Sequence, residues 1–127
     1  MLMGQTFRRQ ERLTSSRSIG LLSKKGESIK QGPLKLIWSK RLEDNGSSVK
    51  TAVSVPKSKF KRATDRNKLK RRIREAYRKN KKPLTDHLEL KMKKISLLIV
   101  YQSGTIATYE SIETAIKNSI VKIIVKS

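Results

Sequence analysis

The chain of 127 residues fits one domain of ordinary size, large enough to bury a single core without staples. It has no cysteine, which rules out a disulfide framework, a thiolate nucleophile and a Cys-based zinc site, and permits a reducing cytoplasm. Its 31 Lys/Arg against 10 Asp/Glu give a formal charge of +21, which repels itself in a compact fold unless a polyanion is the normal partner; nucleic acid is the leading candidate.

Residues 1–12, MLMGQTFRRQER, read as a flexible basic arm with Phe7 as its one large aromatic. They lack the apolar run of a signal peptide, and no uninterrupted apolar stretch reaches the roughly 18 residues of a membrane span, so neither a targeting nor a spanning segment is expected. A single domain is expected over 13–127. Thr14 offers an N-cap, and Ile19, Leu22 and the closing Gly26 outline a short first helix. LKLIWS, residues 34–39, alternates Leu34/Leu36/Trp38 against Lys35/Ile37/Ser39, as a strand with one buried face does. Asn45-Gly46 is a hairpin-type turn, so residues 49–56 are expected to return as the antiparallel partner, with Val49, Thr51, Val53 and Val55 on one face.

Residues 65–80, DRNKLKRRIREAYRKN, read as the organising helix. Asp65 is the expected cap, its carboxylate facing the positive end of the helix dipole. Leu69, Ile73, Ala76 and Tyr77 form one apolar stripe. Lys70, Arg74, Asn67, Arg78 and Arg71 adjoin it on one side, with Arg72, Lys79, Lys68 and Glu75 on the other. Glu75 is expected to pair with Arg71, Arg72 or Lys79. Lys81-Lys82-Pro83 breaks the chain, and Leu84, Leu88 and Met92 suggest a weaker second helix. ISLLIVY, 95–101, has the apolar, β-branched character of a central strand covered on both faces. Ile112, Ala115, Ile116, Ser119, Ile120 and Ile123 mark a C-terminal helix beginning at Thr108. The order is α-β-β-(β)-α-(α)-β-α, the bracketed elements being weakly signalled, and it predicts an α+β sandwich of helices on a small sheet.

Between Lys57 and Lys82 there are fourteen Lys/Arg against Asp65 and Glu75, so counterion release on binding phosphates is expected. A solvated face is the plain reading of such a run. Arginine content favours the other one, because planar guanidinium forks suit paired phosphate oxygens and base edges. Asn67 either contacts a base or ribose or makes a local capping bond with the Thr64–Asp65 turn.

Residues 53–78, VSVPKSKFKRATDRNKLKRRIREAYR, resemble the signature of the protein subunit of bacterial ribonuclease P, whose core pattern is Arg-Asn-x-x-Lys-Arg-x-x-Arg-Glu. Arg66, Asn67, Lys70, Arg71, Arg74 and Glu75 fill every position of that pattern. Lys57, Arg62 and Ala63 before it, and Arg12-Leu13 through Gly26, Pro33 and Leu34, continue the likeness in order and spacing. The resemblance implies a two-layer α/β sandwich around a small mixed four-stranded sheet, like a ribosomal-protein S5 domain, with a left-handed β-α-β crossover. It also implies a partner, a large catalytic RNA that removes the 5′ leader of precursor tRNA with Mg²⁺ held chiefly by that RNA. Arg66, Asn67, Lys70, Arg71 and Arg74 inherit contact with the RNA by position, with Lys57, Arg62 and Arg78 beside them as further RNA-binding candidates. A cleft between the first helix and the sheet would take the single-stranded leader, where aromatic residues stack on bases. Here Ile19 and Ser23 stand where relatives often carry Phe, and Trp38 is either the stacking residue or part of the core.

No catalytic or metal-binding set is in register for a protein nuclease. The sole histidine, His87, is expected at the surface or partly packed, and the chemistry is expected in the RNA subunit. A non-catalytic ribosomal or RNA-chaperone-type protein shares the charge and fold class, and the ordered signature alone separates it. DNA binding is not expected, since no helix-turn-helix pair or dimerising heptad flanks the main helix.

Overall fold

The most apolar run of the chain occupies the middle of the architecture. A computed structural model describes residues 26–40 and 48–126. Its elements follow as β1 (Glu27–Gln31), β2 (Leu34–Lys40), β3 (Val49–Ser54), α1 (Ala63–Asn80), α2 (Lys82–Leu90), β4 (Ile95–Tyr101) and α3 (Tyr109–Lys126). The strands lie in the order β1-β2-β4-β3. β4 pairs antiparallel with β2 (Trp38 opposite Leu97) and parallel with β3 (Thr51 opposite Leu97), so the sheet is mixed and the fold is α+β.

Strand β4 is central because both of its faces are apolar. Ile95, Leu97, Ile99 and Tyr101 join the main core with Leu34, Leu36 and Trp38 of β2, and Leu98 meets Ile37 on the opposite face. The helices cover the first face. Leu69, Ile73, Ala76 and Tyr77 of α1 and Ile112, Ala115, Ile116, Ser119, Ile120 and Ile123 of α3 are all buried. Each large aliphatic side chain so placed contributes about 1.5–3 kcal/mol relative to exposure. The two stripes agree residue for residue with the 3.6-residue period in the sequence.

Three expectations are corrected. β2 and β3 do not form a hairpin, because β4 lies between them. The eight residues from 41 to 48 readily span two strand spacings, about 9.6 Å, and pairing with β4 gives both strands an apolar neighbour. The additional strand comes before LKLIWS rather than after it: β1 and β2 form a tight hairpin in which Gln31 faces Leu34 across Gly32-Pro33. Gly32 supplies the left-handed conformation (φ 55°) that this turn requires. Finally, the second helix stops at Leu90, short of Met92, which is 92 % exposed with φ 56°. Lys93 N–H donates to Leu88 O (2.8 Å) and Met92 N–H to Glu89 O (3.1 Å), a Schellman-type ending with methionine in the place glycine usually takes.

Helix α1 begins at Ala63, two residues earlier than expected, with Arg62 as an extended N-cap that makes no side-chain capping bond. Asp65 therefore sits in the first turn instead of capping it. There it still faces the positive end of the dipole. The 1–12 arm, the first helix with Ile19 and Ser23, and the Asn45-Gly46 turn lie outside the described residues.

Candidate RNA-binding surface

The helix that carries the basic segment is held by the fold on its inner side. Below it, Thr51 of β3 donates its hydroxyl to the Tyr77 hydroxyl (3.0 Å), both residues being buried. This bond satisfies a buried polar pair between α1 and the edge strand β3, where an unpaired hydroxyl costs about 1–3 kcal/mol. At the N-terminal end, Lys59 and Phe60 N–H close a turn on Pro56 O, and the buried Phe60 ring meets Tyr101 edge-on at 5.7 Å. The loop carrying Lys57, Lys61 and Arg62 is thereby anchored to the core.

The cations of the basic segment divide into two sets. One set is engaged within the molecule. Arg66 donates through one nitrogen to Phe60 O (2.8 Å) and Lys61 O (2.9 Å), tying down the turn before its own helix. Arg72 donates to Ala107 O (2.6 Å), and Lys59 to Gln102 O. Arg78 forms a two-toothed pair with Glu75, Nε to Oε2 at 3.2 Å and a terminal nitrogen to Oε1 at 2.5 Å. Lys79 stands 3.9 Å from Glu75 and 5.7 Å from the centre of the Tyr109 ring. Lys82 pairs with Asp86 at 3.0 Å, and Lys81 is only 2 % exposed. The expected partner of Glu75 is thus corrected in part: Lys79 stands at the edge of ion-pairing distance, but Arg78 holds the carboxylate in place of Arg71 or Arg72.

The other set has no such engagement. The side chains of Lys57, Lys61, Arg62, Lys68, Lys70, Arg71 and Arg74 make no hydrogen bond or ion pair with any described residue, and all but the half-buried Lys70 are exposed. The side chain of Asn67 is also exposed and makes no local capping bond, which removes the second of its two readings. Asn67, Lys70, Arg71, Arg74 and Arg78 follow the i, i+3/i+4, i+7 spacing of one helix face and span about 16 Å along it. Seven of the eight RNA-binding candidates surround the N-terminal two-thirds of α1. Arg78 lies at the far end, with a carboxylate already on its fork.

A polar seam joins the other end of α1 to α3. Asn80 donates to Ala76 O (2.8 Å) and to Glu113 Oε2 (3.0 Å), and the Tyr109 hydroxyl donates to the same oxygen at 3.3 Å. The Arg78 hydrogen bond is the main cause holding the Glu75 carboxyl below its ordinary range, and the Asn80 amide does the same for Glu113. Burial first, and then the Glu113 charge, push the Tyr109 phenol up. The Asn80–Glu113 and Arg72–Ala107 contacts are not readable locally, because Glu113 and Ala107 lie 33 and 35 residues beyond their partners.

Trp38 packs in the main core on the helix-facing side of β2, 3 % exposed. Of its two readings, core residue and leader-stacking ring, this burial supports the first. The opposite face of the sheet carries Ile37 and Leu98 with Ala52 and Val100 packed beside them. His87 is half-buried, its Nε2 enclosed without a hydrogen-bond partner among the described residues. A recess of about 300 Å³ lined by Glu27, Lys40, Lys93 and Lys126, among others, opens at the β4 N-terminal end, away from the Lys57–Arg74 surface. No helix of the described residues is long and apolar enough to cross a membrane.

Comparison with known proteins places this arrangement. Residues 7–123 match the family described as Ribonuclease P. The chain is 30 % identical over 115 residues to the ribonuclease P protein component of Porphyromonas gingivalis, covering 91 % of this chain and 84 % of that one. It is 39 % identical over 79 residues to the counterpart from Thermotoga maritima, 62 % of this chain and 64 % of that one. Among solved structures, the Thermotoga maritima RNase P protein superposes with a TM-score of 0.69 at 22 % identity, covering 88 % of this chain and 96 % of that one. The Staphylococcus aureus RNase P protein does so with a TM-score of 0.63 at 19 % identity, covering 89 % and 94 %. The family match across nearly the whole described fold, together with the complete Arg66–Glu75 pattern on an outward helix face, means that this chain belongs to the ribonuclease P protein family.

Proposed function

We propose that the chain is the protein subunit of a ribonuclease P holoenzyme, that it binds the catalytic RNA through the outward face of α1, and that it promotes removal of the 5′ leader from precursor tRNA. The observation that carries this reading is the row Asn67, Lys70, Arg71 and Arg74, outward-facing, cationic apart from one amide, and without partners among the described residues. A fold that engages seven neighbouring Lys/Arg side chains internally and leaves this row open presents a fixed pattern of donors rather than a diffuse charge. Lys57, Lys61, Arg62 and Lys68 extend the pattern, and their phosphate contacts release counterions. Guanidinium forks of Arg71 and Arg74 suit paired phosphate oxygens. The sheet face bearing Ile37 and Leu98, opposite the helices, is the surface this reading gives to the single-stranded leader.

No three His, Asp or Glu side chains among the described residues gather into a group that fits a metal ion. In this reading Mg²⁺ is held chiefly by the RNA, the bond-breaking chemistry belongs to that subunit, and the complex works in the cytoplasm. The decisive experiment reconstitutes the chain with the ribonuclease P RNA of its own organism and assays precursor tRNA cleavage. The expected result is site-specific leader removal by RNA, protein and Mg²⁺ together at physiological salt, with none by RNA-free protein. Failure of the protein to stimulate cleavage, with RNA binding intact, would favour a non-catalytic RNA-binding or ribosomal role instead.

A further inference from the structure

An apolar stripe of four residues determines which side of α1 is inside, and the Thr51–Tyr77 bond ties that side to β3. A further restraint comes from the loop after β4. The buried Tyr101 hydroxyl donates to Thr105 O and accepts Ala107 N–H (2.8 Å), so the loop folds around one phenol oxygen. Folded in this way, it presents two carbonyls to the basic segment: Ala107 O accepts the Arg72 guanidinium at 2.6 Å, and Gln102 O accepts the Lys59 ammonium. One loop thus grips both the middle of α1 and the turn that precedes it.

Arg72 is adjacent in sequence to Arg71 and two residues from Arg74, yet it is half-buried and directed at protein backbone, whereas those two are exposed. On composition alone all three arginines are equivalent phosphate ligands. We propose that Arg72 is a positioning residue: through the Ala107 carbonyl that Tyr101 holds in place, it fixes the rotation of α1 and hence the direction in which Asn67, Lys70, Arg71 and Arg74 meet the RNA. The inference rests on the reading of α1 as the RNA-binding surface and gives a role to an unspecified position of the Arg66–Glu75 pattern.

The test measures affinity of the full chain for the ribonuclease P RNA of its organism across a salt series, well below the melting temperature, for Arg72→Ala, Arg72→Lys, Tyr101→Phe and Arg74→Ala. A phosphate ligand and a positioning residue differ in the salt slope. Arg74→Ala is expected to lower the slope by roughly 0.7–0.9, one phosphate contact. Arg72→Ala and Tyr101→Phe are expected to weaken binding about fivefold or more with the wild-type slope kept, because the contacts are misdirected rather than deleted. Arg72→Lys is expected to recover part of the loss, since an ammonium still donates to one carbonyl. A reduced slope in Arg72→Ala would overturn the proposal by making Arg72 a ligand, as would unchanged affinity with only a lower melting temperature. Should Arg74→Ala alter neither affinity nor slope, the reading of α1 itself fails, an outcome separate from either result at Arg72.

Discussion

α1 and α3 have the same length, 18 residues, and pack on one another over the same face of the sheet. Their inner sides are alike, a stripe of four buried residues on one and six on the other. Their outer sides differ. α1 carries eight Lys/Arg against two acids, α3 three Lys against two acids and an outward Val121 and Val125. Packing on the core demands only the inner stripe, which leaves the exposed positions of both helices unconstrained by it. The arginines of α1 that serve the fold are recognisable because they end on protein oxygens, whereas Arg71 and Arg74 end on none among the described residues.

The largest expected effect tests the side on which the two helices agree. Leu69→Ala, Ile73→Ala and Ile116→Ala each remove a fully buried aliphatic side chain. Each is expected to cost about 2–5 kcal/mol, read as a lower denaturant midpoint. Substitution of the equally aliphatic but exposed Val121 is expected to stay within about 0.5 kcal/mol. An Ile73→Ala protein as stable as wild type would mean that α1 is not anchored by its stripe.

An intermediate effect tests the side on which they differ. Arg71→Ala and Arg74→Ala leave no described partner unpaired and are expected to melt with wild-type protein, while weakening RNA binding and flattening its salt dependence by up to about one counterion each. Lys117→Ala on the exposed side of α3 is the control, expected to leave the slope alone. If Lys117→Ala flattens the slope as much as Arg74→Ala, the charge acts as a general field and the contrast between the helices is lost.

How much of this is legible in the sequence follows from the range of each interaction. Both stripes are legible because helix periodicity is local, and the signature residues are legible because they form a contiguous pattern. β4 is recognisable as central from its two apolar faces, but its place between β2 and β3 is not, because Asn45-Gly46 gives a local hairpin signal that tertiary pairing overrides. β1 has no apolar alternation in ESIKQ, and Gly32-Pro33 was its one available turn signal. Inside the basic segment, helix periodicity puts Arg72 across the stripe from Arg71 and Arg74, but it does not show what Arg72 binds. Their difference depends on Ala107, a carbonyl that any residue would provide.

The smallest expected effect concerns the seam where the two helices meet. Glu75 is held below its ordinary range chiefly by the Arg78 hydrogen bond, and Glu113 chiefly by that of Asn80. A carboxylate with a lowered folded pKa adds stability that is complete above its unfolded pKa and disappears as pH falls through the folded value. Melting temperatures measured from about pH 7 down to about pH 3 should therefore fall less steeply for Glu75→Gln and Glu113→Gln than for wild type, with the curves converging in acid. The effect is small because both carboxylates are largely open to water, and added salt should shrink it further at Glu75, whose partners are charged, than at Glu113, whose first partner is a neutral amide. Tyr109, raised by burial, acts in the opposite direction: its contribution is complete below its unfolded pKa and is lost as pH rises through the folded one. Parallel acid curves for wild type and Glu113→Gln would show that the seam aligns α1 and α3 without contributing measurably to their stability.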